Sequence, residues 1–170
     1  ITDAPSANCR DIPPSMLPVV TKLYAQGGQV ADPAQHIFGL ANSPKVKNMC
    51  VRNCTDASSA IWKTLLVMTE GFGGNEIFMM DITNPVSETG FADPPVLPVW
   101  HSQDASLADT YDQALGLTIS VPGFFFHKSD AGDDQRIIFA SGYGNPAGPV
   151  GQGRHIVVAS ATSGTSRLRL

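Results

Sequence analysis

An ordered set of short apolar runs occurs twice along the chain, and this internal repeat limits the available folds more than any other feature. From Ser43 onward, runs of strand length alternate with turns rich in Gly, Pro, Asn, Asp and Ser. The runs are Val46–Val51, Trp62–Met68, Glu76–Ile82, Val96–His101, Thr118–His127, Arg136–Ser141, His155–Ala159 and Ser166–Leu170. Trp62 to Gly73 is an apolar strand ending in Gly-Phe-Gly, and Gln135 to Gly144 is one ending in Gly-Tyr-Gly. Glu76 to Pro85 and Arg154 to Gly164 are each a second apolar strand running into a small polar turn. A Pro-containing strand precedes each pair (Ser43-Pro-Lys-Val and Ser120-Val-Pro-Gly), and a further short strand follows each.

Four antiparallel strands in a meander, repeated in tandem, form the unit of a β-propeller. The sequence therefore predicts an all-β fold with one four-stranded blade over 43–101 and a second over 120–170. An eight-stranded sandwich fits the strand count but leaves the matched halves unexplained. Residues 1–42 read as a lead-in segment. Within it, Ser15 to Ala25 has helical apolar spacing, with Ser15 as N-cap and Gly27-Gly28 as a stop, so one short N-terminal helix is expected. A repeat unit needs neighbours to cover both of its faces. Two units alone are expected to expose apolar faces of Trp62–Met68 and Ile77–Ile82 on one side, and of Phe124–Phe126 and Ile137–Ala140 on the other.

Composition agrees with many turns and few helices. Gly numbers 16 and Pro 13, while only 15 % of the 170 residues are charged. The net charge of -4 argues against nucleic acid as a partner, because phosphate binding needs a basic face. No apolar run reaches the ~20 residues of a membrane-spanning helix. The start at Ile1, without Met or a signal segment, reads as a processed or trimmed piece of something longer.

Three cysteines are present: Cys9, Cys50 and Cys54. A short loop disulfide between Cys50 and Cys54 is the preferred reading and implies an oxidising compartment. Cys9 could instead take one of the two, and three free buried thiols remain the alternative.

The ordered set Gln35 to Pro44, Trp62-Lys-Thr-Leu-Leu-Val, Gly71-Phe-Gly-Gly74, Ile77 to Pro85, Pro98-Val-Trp100, Leu115 to Pro122 and Ile138 to Gly144 resembles one family. It is the PilY-type assembly and tip adhesin proteins of type IV pili, in their C-terminal β-propeller domain. The resemblance covers roughly residues 35–165. It implies a structural and adhesive component of a pilus, exported through the periplasm to the cell surface, and not an enzyme. It also implies as partners minor pilins or other pilus-tip proteins, a host or abiotic surface, and the remaining propeller blades of the parent chain. The family's Val-Asp-Gly-Ser-Pro strand is Leu40-Ala-Asn-Ser-Pro44 here, and its calcium loop is missing, as is its von Willebrand-type domain. No cofactor is expected in this segment, although calcium is possible in the parent protein.

Candidate chemistry is sparse. Asp130, Asp133 and Asp134 cluster around Gly132 in an expected hairpin loop and could offer carboxylates to calcium. They lack the Asp-x-Asp-x-Asp-Gly alternation, so a solvated turn is the competing reading. His36, His101, His127 and His155 show no metal-ligand spacing and read as strand-edge or core residues. No Gly-x-Ser-x-Gly elbow is present, and Ser141 to Gly144 and Gly151 to Arg154 join strands as turns. Trp62 and Trp100 are expected in core or inter-blade packing. Asp81 and Thr83 are expected to cap the turn that follows their strand. Two other functions fit a propeller: a quinoprotein-dehydrogenase-type enzyme, and a scaffold binding sugars or peptides on its loop face.

Overall fold

The computed structural model describes residues 16–25, 37–84, 97–112, 114–129, 132–144 and 152–169. Helix α1 spans Met16–Ala25, with Pro18 in its first turn, where a missing N–H costs nothing. Its Leu17, Val20 and Tyr24 are exposed and only Met16 is buried. No helix among the described residues is long and apolar enough to cross a membrane.

Strands β1 (Lys45–Arg52), β2 (Ile61–Thr69), β3 (Ile77–Asp81) and β4 (Leu97–His101) form one antiparallel sheet in sequence order. Strands β5 (Gly123–Ser129), β6 (Gly132–Ala140), β7 (Ile156–Ser160) and β8 (Ser166–Arg169) form a second sheet in the same order. The fold is thus all-β, and the expected partition into two four-stranded meanders holds. The connection carries helix α2 (Ala108–Tyr111), four residues that the periodicity of the sequence did not suggest.

The likeness of the halves extends to backbone detail. Gly71 and Gly142 both adopt positive φ, at 68° and 101°. Leu66 precedes Gly71, and Ile137 precedes Gly142, by five residues each. A bulge interrupts the β3–β4 ladder between Met79 and Met80, and the β7–β8 ladder between Val158 and Ala159. Ile82 N–H donates to the Thr64 carbonyl as Ala161 N–H donates to the Gln135 carbonyl. After β3, the Asp81 carboxylate accepts from the backbone N–H and hydroxyl of Thr83. After β7, the Ser160 hydroxyl accepts from Thr162 N–H and contacts the Thr162 hydroxyl. Strand β2 therefore superposes on β6 in sequence with Leu66 matching Ile137, and β3 on β7 with Met80 matching Ala159.

The two sheets share one core, yet they do not turn the same face toward it. Leu65, Val67, Ile77, Met79 and Trp100 of the first sheet are buried, together with Ile137, Phe139, Val157 and Ala159 of the second. By the correspondence above, Val67 matches Ile138, which is 41 % exposed, and Ile77 matches Ile156, 45 % exposed. One face of the first sheet thus packs against the opposite face of the second. This contact seals Leu65, Val67, Ile77 and Met79 of the first sheet and Ile137 and Phe139 of the second.

Trp100 fastens the junction. Its Nε1 donates to the Ala161 carbonyl at 3.0 Å, and its ring stacks on Tyr111 at 6.4 Å. The Tyr111 hydroxyl in turn donates to the Gly164 carbonyl. Gly164 has φ 71°, and a Cβ there would lie 2.6 Å from Leu107 Cδ1 and 2.7 Å from the Trp100 ring. Gly164→Ala is expected to cost about 1–3 kcal/mol in urea denaturation, through the strained φ and the displaced indole. An unchanged midpoint would show that the 161–164 turn does not hold Trp100.

Asp81 is 6 % exposed, and its carboxylate meets Lys63 Nζ at 2.6 Å. Burial alone would raise its pKa, but the hydrogen bonds from Lys63 and Thr83 outweigh that and hold it below the ordinary 3.8. A depressed carboxyl stabilises the fold above 3.8, and that contribution fades as pH falls through its folded-state value. Asp81→Asn should lower stability at neutral pH by about 1–2 kcal/mol and flatten the decline below pH 3.8. Parallel acid-unfolding curves for the two proteins would contradict this.

Candidate functional site

Two structures in this chain offer chemistry or binding: a polar junction beneath the 70–76 turn, and the apolar faces left outside the shared core. The junction begins with Glu70 and Glu76, both fully buried although the sequence places them in a Gly-rich turn. Glu70 Oε2 accepts from Glu76 N–H at 3.0 Å, so the carboxylate folds back over its own turn. Thr118, on the segment that enters the second meander, donates or accepts through its hydroxyl with Glu70 N–H, the Gly74 carbonyl and the Glu76 carbonyl. Asn42 Nδ2 reaches Thr69 Oγ1 at 2.6 Å and the carbonyls of Thr118 and Ser120. Asn42, in the Leu40–Pro44 stretch, thereby ties the two halves together.

His101, at the end of β4, stands between two carboxylates. Its Nδ1 lies 3.0 Å from Glu76 Oε1, and its Nε2 lies 2.9 Å from Asp104 Oδ1. Asp104 Oδ2 also accepts from the His101 backbone N–H. Sequence reasoning read His101 as a plain strand-edge or core residue. The His101-x-x-Asp104 spacing was visible, but Glu76 arrives only through the β3–β4 register, which pairs Phe78 with His101. The adjacent Ser102 hydroxyl accepts from Ile77 N–H, and Ser102 is fully buried. The cluster therefore locks turn, strand and connection together.

Cys50 and Cys54 are bonded to each other, as preferred from their spacing. The bond closes the loop after β1, where Asn53 adopts φ 54°. Cys50 also pairs in register with Trp62. Trp62 is 61 % exposed and packs in no core within this chain, which leaves the inter-blade alternative, whereas Trp100 is buried in the core. Cys9 and His36 lie outside the described residues, as does Asp130. Asp133 and Asp134 fall inside β6, paired with Lys128 and His127, so the hairpin connection is shorter than the loop expected over 129–134. The side chains of 127–134 lie outside the described part. Among the described residues, no group of His, Cys, Asp and Glu is arranged to hold a metal ion. His155 stays within the backbone pairing, its N–H donating to the Ser141 hydroxyl.

The outer face of the first sheet presents Val46, Leu66 and Met80 in one lateral row, with Trp62 beside it. The outer face of the second presents Ile138 opposite Val158, and Ile156 next along β7. Val46 and Trp62 are exposed on the first face and Ile138 and Ile156 on the second, whereas Leu66, Met80 and Val158 are half-buried and Phe78, on the first face, is buried.

The chain matches no protein-family model, and no curated protein and no solved structure matches it.

Removing the His101 ring leaves the buried Glu76 carboxylate without its cation-capable neighbour. His101→Ala should cost about 1–3 kcal/mol in chemical denaturation. Adding Glu76→Gln should cost less than the sum of the single changes, because the two groups answer each other. Strictly additive losses would separate them energetically.

Proposed function

We propose that the two sheets are neighbouring blades of a β-propeller, and that the chain is a structural and adhesive section of a type IV pilus tip or biogenesis protein. One observation carries the propeller reading: equivalent residues of the two repeats lie on opposite sides of the shared core. Blades related by rotation about a central axis stack in this head-to-tail way, each presenting one face to the next. A sandwich of two like sheets related by a two-fold axis would instead bring Val67 and Ile138 to the same interior. The pilus role rests on the ordered resemblance over residues 35–165, and the Cys50–Cys54 bond supports an exported, oxidising location.

In this reading the protein works by binding, without a catalytic centre. Minor pilins or other tip proteins, a host or abiotic surface, and the remaining blades of the parent chain are its partners. Nucleic acid is not. Any calcium regulation belongs to the parent protein, and Asp130, Asp133 and Asp134 are a minor candidate for it.

Deleting the encoding gene in the source bacterium tests the role. Loss of surface pili or of surface attachment, restored by the wild-type gene, is expected. Normal piliation and attachment would overturn it. A visible-range absorbance band in the purified protein would favour the quinoprotein alternative instead.

A further inference from the structure

The internal junction and the two open faces are built from the same pair of surfaces. Within the chain, the face of the first sheet bearing Val67, Ile77 and Met79 covers the face of the second sheet bearing Ile137, Phe139 and Val157. The repeat correspondence assigns the outer surfaces to the same two classes. Exposed Ile138 and Ile156 and half-buried Val158 on the second sheet match Val67, Ile77 and Met79. On the first sheet, half-buried Leu66 and Met68 match Ile137 and Phe139, while Phe78, the counterpart of Val157, is already buried within the chain. The chain therefore carries a counterpart of each half of its own interface, exposed at Ile138 and Ile156 on the second sheet and at Val46 and Trp62, beside half-buried Leu66, on the first.

We infer that a second copy of this chain docks head to tail, seating the outer face of its first sheet, around Val46, Trp62 and Leu66, on the outer face of the second sheet, around Ile138, Ile156 and Val158. The contact continues the internal junction across chains. It is heterologous, so each copy uses two different surfaces, and association grows until a ring closes. The exposed side chains supply the drive, since each large apolar residue removed from water favours association. The inference rests on the stacked-repeat reading given above, and is independent of the pilus role.

Sedimentation velocity on residues 1–170, across a hundredfold range of concentration, tests it with two blocked variants. Ile138→Lys with Ile156→Lys closes one face, and Val46→Glu with Leu66→Glu closes the other. The wild type is expected to form concentration-dependent oligomers, and each variant alone to be monomeric. Their equimolar mixture should yield a one-to-one dimer and nothing larger, because a single junction remains possible. Wild type monomeric throughout would overturn the docking while leaving the internal stacking intact. A variant that still dimerises with itself would show like-to-like pairing, and would sink both the docking and the stacked-repeat reading. Near-UV circular dichroism verifies that each variant is folded; should a double change unfold, Ile156→Lys and Val46→Glu singly give the same contrast.

Discussion

Everything in this molecule depends on the contact between one face of the first sheet and the non-equivalent face of the second. A four-stranded sheet has two faces, and stacking one sheet on the next covers one face of each. Joining unlike faces seals Leu65, Val67 and Met79 against Ile137, Phe139 and Val157 with almost no residual exposure. Trp100, Tyr111 and Leu107 close one end of that contact, where Gly164 leaves room for the indole. Asn42 and Thr118 help to close another part with hydrogen bonds in place of apolar mass. The polar closure suits a place where strand ends meet, since backbone groups cut off from water need partners.

The same arrangement explains why the apolar runs were visible in the sequence while their orientation was not. Leu65-Leu66-Val67-Met68 and Ile137-Ile138-Phe139 have no polar-apolar alternation, so the sequence marks strands without saying which side faces in. Such runs suit strands whose two faces both expect cover. The first meander's strands match their sequence-based runs to within a residue or two, because Gly, Asn and Pro punctuate them. The start of the second meander was misplaced. Thr118 to Pro122 reads as strand, yet Leu117 makes only an isolated bridge with Tyr143, and β5 begins at Gly123. At the other end of that hairpin, Ser129 to Asp134 reads as loop from its carboxylates, but a tight connection forces pairing up to Ser129 and Gly132.

The polar junction shows a different limit. Glu70 and Glu76 stand at the ends of two apolar runs, on either side of the 71–74 glycine turn, and nothing in the sequence marks them as buried. Only the fold brings the 70–76 turn beneath Thr118 and sets His101 against Glu76. Long-range pairing of this kind leaves no periodic trace in the sequence. The disulfide was more legible, because two cysteines four positions apart have few other uses in a strand-and-turn sequence.

The head-to-tail relation of the repeats also bears on how such a chain can change over time. When a repeated unit stacks on its neighbour with unlike faces, matched positions meet different surroundings: Val67 is sealed while Ile138 is exposed. A substitution harmless in one copy is costly in the other, and the asymmetry reverses at the next position along the strand. Trp100, held in one repeat by the turn of the other, has already become a specialist of its place. The halves are thereby driven apart in side chains while bulges, turn glycines and backbone bonds stay in step, which is the state in which this chain is found.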